Sequence, residues 1–204
     1  MDIVNNNIFL IGNISTVPAE GTIFPDTYFF QRNDNKNLII SRMQKKMDEV
    51  VASIWRKDND LLQSKEDLIN LASLIEAEAK NNFEKNIISS VFYNRIIKGM
   101  KLQSDPTILY YKNLKSKIKT RKIFKKDLLS DNPWNTYTRK GLPLTAICSP
   151  GIQALDAAMN PRKTSFLYFV ADGIGGHRFS DNYKEHLANI KLWKDKLRET
   201  NEIK

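Results

Sequence analysis

Apolar residues recur with a helical period over most of the middle of the chain. Between Leu38 and Trp55 they fall at Ile39, Ile40, Met43, Met47, Val50, Val51 and Ile54, which predicts a long amphipathic helix. Ser64-Lys65-Glu66-Asp67 has the form of a capping box and opens a second helix to about Lys80, carrying Leu68, Ile69, Leu71, Ala72, Leu74 and Ile75. A third helix is predicted from about Phe83 to Lys98, with Gly99 as its stop. Short extended pieces are expected in residues 1–30. An irregular region rich in Pro and Gly follows at 133–151, then a short helix from Gly151 to Met159. Phe166 to Ala171 reads as a strand, His177 to Phe179 as a second after a glycine turn, and about Tyr183 to Arg198 as a last amphipathic helix. Helices in the middle, short strands near both ends and no alternating βαβ units predict an α+β fold.

A chain of 204 residues can bury an adequate core without disulfides or metal. The single cysteine, Cys148, excludes an internal disulfide and is expected to be a small buried residue. His177 and His186 are nine apart and match no metal-binding pattern, so neither metal nor cofactor is expected. No run approaches the ~20 apolar residues of a membrane-spanning helix, and the first residues do not read as a signal peptide. The net charge of +9 favours polyanionic partners. Eight cations crowd the stretch from Lys112 to Lys126, where a solvated face explains them as well as a binding surface does.

Two carboxylates interrupt the most apolar helix, in Leu74-Ile75-Glu76-Ala77-Glu78-Ala79. Residues two apart on a helix point about 200° away from each other, so Glu76 and Glu78 cannot form a close pair. Glu78 continues the stripe of Leu71 and Leu74, and Glu76 that of Ile69 and Ala72. Small neighbours at Ala72, Ser73 and Ala79 leave room for a ligand beside Glu76. A carboxyl in such surroundings loses solvation and its pKa rises, the condition for a general acid near neutral pH. Either glutamate is equally compatible with an ordinary solvated helix position. Polar residues predicted in loops (Gln103, Asp105, Thr107, Asn135, Thr136, Tyr137 and His177) are interleaved with Tyr110, Trp134, Phe169 and Phe179, a mixture suited to carbohydrate or to nucleic acid.

Several phrases together resemble the YceG-like endolytic murein transglycosylase family. In order they are Glu20-Gly21 with Phe24-Pro25-Asp26-Thr27-Tyr28, then Leu71 to Glu78, Val91-Phe92-Tyr93-Asn94-Arg95 and Met100 to Thr107. Asn135-Thr136-Tyr137, Gly141-Leu142-Pro143, Ser149-Pro150-Gly151, Leu167 to Ala171 and Gly176-His177-Arg178-Phe179 complete the set. The resemblance implies a lytic transglycosylase that cleaves the MurNAc–GlcNAc bond inside peptidoglycan glycan strands with one carboxyl group and leaves 1,6-anhydro ends. It implies Glu76 as the catalytic acid and Glu78 as a supporting residue. Gln103, Asp105, Thr107, Asn135, Thr136 and Tyr137 are implied in or near the glycan cleft, with His177 and Phe179 as weaker members. It further implies a role in ending glycan strand elongation, peptidoglycan synthases as partners, and action at the outer face of the inner membrane through an anchor outside this chain. Residues 1–37 would be a remnant of a LysM-like linking region and 38–204 the catalytic domain. Departures occur at Ala79-Lys80, at Pro143 to Cys148 and in the lysine-rich connector. Two other readings compete: a basic nucleic-acid-binding module, for which no recognisable module is present, and a catalytically inert wall-binding protein. A hydrolase using the same carboxyl would differ in giving reducing ends.

Overall fold

The computed structural model describes residues 10–79, 81–116 and 118–202. Seven α-helices and four short strands are assigned within them. In order they are β1 (Leu10–Ile11), β2 (Asp34–Asn35), α1 (Lys36–Ile54), α2 (Lys65–Glu78), α3 (Lys85–Ile97), α4 (Asp105–Leu114), α5 (Lys125–Leu128), α6 (Ile152–Met159), β3 (Tyr168–Ala171), β4 (His177–Ser180) and α7 (Tyr183–Glu202). β1 pairs with β2 in parallel, and β3 with β4 as an antiparallel hairpin that sets Ala171 opposite His177. The fold is α+β and helix-dominated.

The centre of the molecule is α2. Leu68, Leu71, Ala72, Leu74 and Ile75 are fully buried, so the helix is covered on nearly every side. α6 packs closest on it, because Ala154, Ala157 and Ala158 lack the bulk to hold two helices apart. Met43, Met47, Val50 and Val51 of α1 and Ile88, Val91 and Phe92 of α3 close the remaining sides. Each large side chain buried in this way stabilises the fold by about 1.5–3 kcal/mol.

The helix also needs partners for its few polar groups. Asn70 donates to the carbonyl of Pro143 at 2.6 Å, and Ser73 to that of Asn70 at 2.7 Å. The capping box forms as its residues predict: Ser64 Oγ accepts the Asp67 amide at 3.1 Å while Asp67 Oδ2 accepts that of Ser64 at 3.1 Å. α3 ends at Gly99, whose φ of +65° lets the Met100 amide reach back to the Arg95 carbonyl at 2.8 Å.

Three expectations are corrected. Residues 20–28 form no strand; Phe24 instead enters the core and donates its amide to the Met43 carbonyl at 3.1 Å. The third helix divides into a 3-10 turn at Asn82–Glu84 and α3 proper. Asp105 and Thr107 belong to a helix, α4, rather than a loop, with Pro106 preset for its first turn. Of the short extended pieces expected in residues 1–30, residues 1–9 lie outside the described residues.

Candidate active site

α2, α3, the start of α4, the β3–β4 hairpin and α7 surround a cleft of about 490 Å³. Its walls carry Glu78, Gln103, Asp105, Tyr137 and His177, together with Arg95, Phe169, His186, Ile190 and Trp193. Among the described residues, no group of three or more His, Cys, Asp or Glu side chains gathers in a way that would hold a metal ion.

Glu78 is the last residue of α2, where the stripe of Leu71 and Leu74 leaves the core and meets the cleft. Burial raises its pKa from the ordinary carboxyl range to about 7. The hydroxyl of Ser104 opposes this by donating to Oε1 at 2.6 Å, while the charge of Asp105 adds to the rise and that of Arg95 works against it. Near neutral pH the carboxyl is therefore divided between its protonated and charged forms.

Glu76 occupies a different environment. Both its oxygens accept from the Lys85 ammonium, at 3.1 and 2.9 Å, and Oε2 also accepts the Gly151 amide at 3.2 Å. The lysine side chain is 5% exposed and that of Glu76 32%, so this is a largely buried cation neutralised by a partly open carboxylate. Glu76 does not line the cleft with Glu78. The two glutamates point apart as the helical period requires, and it is the second that faces the polar and aromatic residues.

The other predicted site residues separate into walls and supports. Gln103 lines the cleft with a φ of +51°, a conformation that costs a non-glycine residue energy and is held by its amide donating to the Thr136 carbonyl at 3.0 Å. Asp105 accepts from the Tyr137 hydroxyl. Burial and that carboxylate push the Tyr137 phenol well above its usual range. Thr107, Asn135 and Thr136 are fully buried behind this wall. Thr136 Oγ1 accepts the Ser104 amide at 3.0 Å and meets Thr107 Oγ1 at 3.0 Å. Asn135 donates to the Ser130 carbonyl at 2.6 Å and accepts the Tyr137 amide at 2.8 Å. Phe179 stacks on Phe166 with ring centres 5.6 Å apart and supports the hairpin from outside the cleft lining.

Arg95, His186, Ile190 and Trp193 were not anticipated as site residues. Arg95 is buried and donates to the carbonyls of Leu167 at 2.6 Å and Leu102 at 2.7 Å; burial lowers its pKa. His186 stacks on Tyr168 at 5.0 Å, and burial, aided by Arg95, lowers its pKa. An arginine inside the apolar run of α3 was the one available signal, since a buried guanidinium must find acceptors. Nothing local marks Trp193, because α7 reads as an ordinary amphipathic helix.

Fold and site together define an α+β protein built around a carboxyl-bearing cleft. A sequence model of the YceG-like family matches residues 4–192, and the chain belongs to that family. It is 40% identical over 186 residues to an endolytic murein transglycosylase of Bacillus subtilis, covering 91% of this chain and 50% of that protein. An endolytic murein transglycosylase of Streptococcus pneumoniae is 31% identical over 173 residues, covering 84% and 31%. The crystal structure of a yceG-like protein from Listeria monocytogenes superposes with a TM-score of 0.74 at 36% identity, covering 82% of this chain and 54% of that one. The chain thus spans half the length or less of the curated relatives described.

Proposed function

We propose that the chain carries the catalytic part of an endolytic lytic transglycosylase acting on peptidoglycan, with Glu78 as its acid. The observation that carries this is the carboxyl of Glu78, with a pKa near 7, in a cleft walled by amide, hydroxyl and aromatic groups. The role assigned to Glu76 by resemblance passes to Glu78. Glu76 is held by both oxygens on the buried Lys85 ammonium and is not among the residues lining the cleft, so it fits better as the partner that neutralises Lys85.

In this reaction protonated Glu78 gives its proton to the glycosidic oxygen between MurNAc and GlcNAc as that bond breaks. The resulting carboxylate then accepts the proton of the MurNAc C6 hydroxyl while its oxygen bonds to the anomeric carbon. The 1,6-anhydro ring closes and Glu78 is protonated again. A pKa close to ambient pH suits a group that must serve as acid and then as base. A two-carboxylate hydrolysis is disfavoured because the second carboxylate of the cleft, Asp105, is engaged by the Tyr137 hydroxyl. Gln103, Tyr137 and Trp193 would orient the sugars.

The strand-ending role, synthase partners and an extracytoplasmic site of action with a membrane anchor elsewhere in the protein extend this reading. So does the division at residue 37 into linking region and catalytic domain. None of the helices in the described residues is long and apolar enough to cross a membrane.

Mass spectrometry of purified peptidoglycan digested with the unmodified chain, E78Q and E76Q tests the assignment. Anhydro-muramyl ends from the unmodified chain and from E76Q, with none from E78Q, are expected. Anhydro ends from E78Q but not from E76Q would return the acid to Glu76.

A further inference from the structure

The 3-10 turn that follows α2 carries a carboxylate with no role in the reaction as written. Glu84 leaves that turn and reaches the β3–β4 hairpin. Its Oε1 accepts the backbone amide of His177 at 2.8 Å, and its Oε2 lies 2.8 Å from His177 Nδ1. Both side chains are nearly enclosed, at 16% and 11% exposed. The hairpin is shaped for this approach. A Cβ on Gly176 would lie 2.8 Å from Glu84 Oε1 and 2.9 Å from Asp172 Oδ2. Asp172 in turn accepts the amides of Ile174 at 2.8 Å and Gly176 at 2.9 Å, which fixes the tip.

A carboxylate only accepts, so the hydrogen of this pair sits on His177 Nδ1, and in the Nδ1–H tautomer the ring's lone pair lies on Nε2. The ring is held edge-on to Phe169, with centres 5.4 Å apart, and lines the cleft that contains Glu78. No hydrogen bond reaches Nε2 among the described residues. We infer that Glu84 is a positioning residue: it fixes His177 in the Nδ1–H tautomer and turns Nε2 toward the cleft as the acceptor for a glycan hydroxyl. The inference rests on the cleft being a glycan site. It does not depend on which residue is the acid, because His177 binds and transfers no proton.

Nitrogen-15 NMR of the histidines in the full chain gives the first test. His177 should show a protonated Nδ1 and an unprotonated Nε2, and E84Q should shift it toward the other tautomer. The second test is the affinity for chitotetraose, a soluble β-1,4 N-acetylglucosamine oligomer, together with KM and kcat on isolated glycan strands. E84Q and H177A should each weaken affinity and raise KM about fivefold, the loss expected for one neutral hydrogen bond, with kcat within twofold. Because Glu84 acts through His177, E84Q combined with H177A should be no worse than H177A alone. If E84Q does not fold, E84D takes its place. The idea is overturned if Nε2 is protonated in the unmodified chain, if H177A binds chitotetraose normally, or if the two losses add. If the unmodified chain makes no anhydro ends, the transglycosylase reading fails, whereas the NMR and chitotetraose results still decide this one.

Discussion

Ser104 donates its hydroxyl to Glu78 at 2.6 Å from a position 1% exposed, at the N-terminal boundary of α4. A hydrogen bond given to a carboxylate favours its charged form, so Ser104 restrains the rise that burial imposes on Glu78. Removing it leaves burial unopposed. In S104A the pKa of Glu78 should move above about 7, and the alkaline limb of activity should shift by ~0.5–1 pH unit, the equivalent of one hydrogen bond. The pH dependence of anhydro-end formation measures this. An unmoved limb would mean that another group sets it.

The same raised pKa has a cost in stability. A carboxyl whose folded pKa is about 7 against an ordinary 4.5 binds its proton more tightly in the folded state. Its contribution is therefore fully present below about pH 4.5 and is lost as pH rises through 7. A neutral glutamine does not titrate. E78Q should match the unmodified chain in melting temperature near pH 4.5 and exceed it by about 5 °C at pH 8. Calorimetry at the two values decides, and a constant difference would show that Glu78 does not titrate between them.

Much of this arrangement was legible in the sequence, for reasons particular residues make plain. α1 and α2 announce themselves because burying one long stripe requires apolar residues at helical intervals, and Ser64 with Asp67 marks the start of α2. The 200° separation also excluded a glutamate pair. Which glutamate faced the cleft was not legible from α2 alone, since it depends on Lys85 at the start of α3, nine residues beyond Glu76, and on Ser104 arriving from another element. Thr107, Asn135 and Thr136 share the cleft's stretch of sequence with Gln103, Asp105 and Tyr137. Only burial separates supports from walls. Glu84 gave no signal because its partner His177 lies 93 residues away.

Lys85 sets a second stability prediction. Its side chain is 5% exposed and its carboxylate partner is Glu76. Truncating the charge at position 76 leaves that cation buried without compensation, which costs up to ~3 kcal/mol, less whatever water reaches the open side of Glu76. E76Q should melt several degrees below the unmodified chain. E76Q combined with K85M, which removes both charges and keeps the volume, should recover most of the loss. A double variant as unstable as E76Q would show that the ion pair is not the cause.

Gln103 joins strain to function most directly. Its φ of +51° costs a residue with a Cβ on the order of 1 kcal/mol, and the surrounding contacts with Thr136 hold it there. Glycine adopts this conformation without that penalty, although its freer unfolded chain offsets part of the gain. Q103G should therefore not lower the melting temperature, whereas replacement of an ordinary cleft residue normally does. Activity should still fall about tenfold, because the amide that lines the cleft is gone. Q103N separates the two effects: it retains an amide, and Asn tolerates the left-handed conformation better than most residues, so it should keep the stability and recover part of the rate. Melting curves and anhydro-end yields for the two variants test this together. Equal activity in Q103G and the unmodified chain would confine Gln103 to shaping the loop.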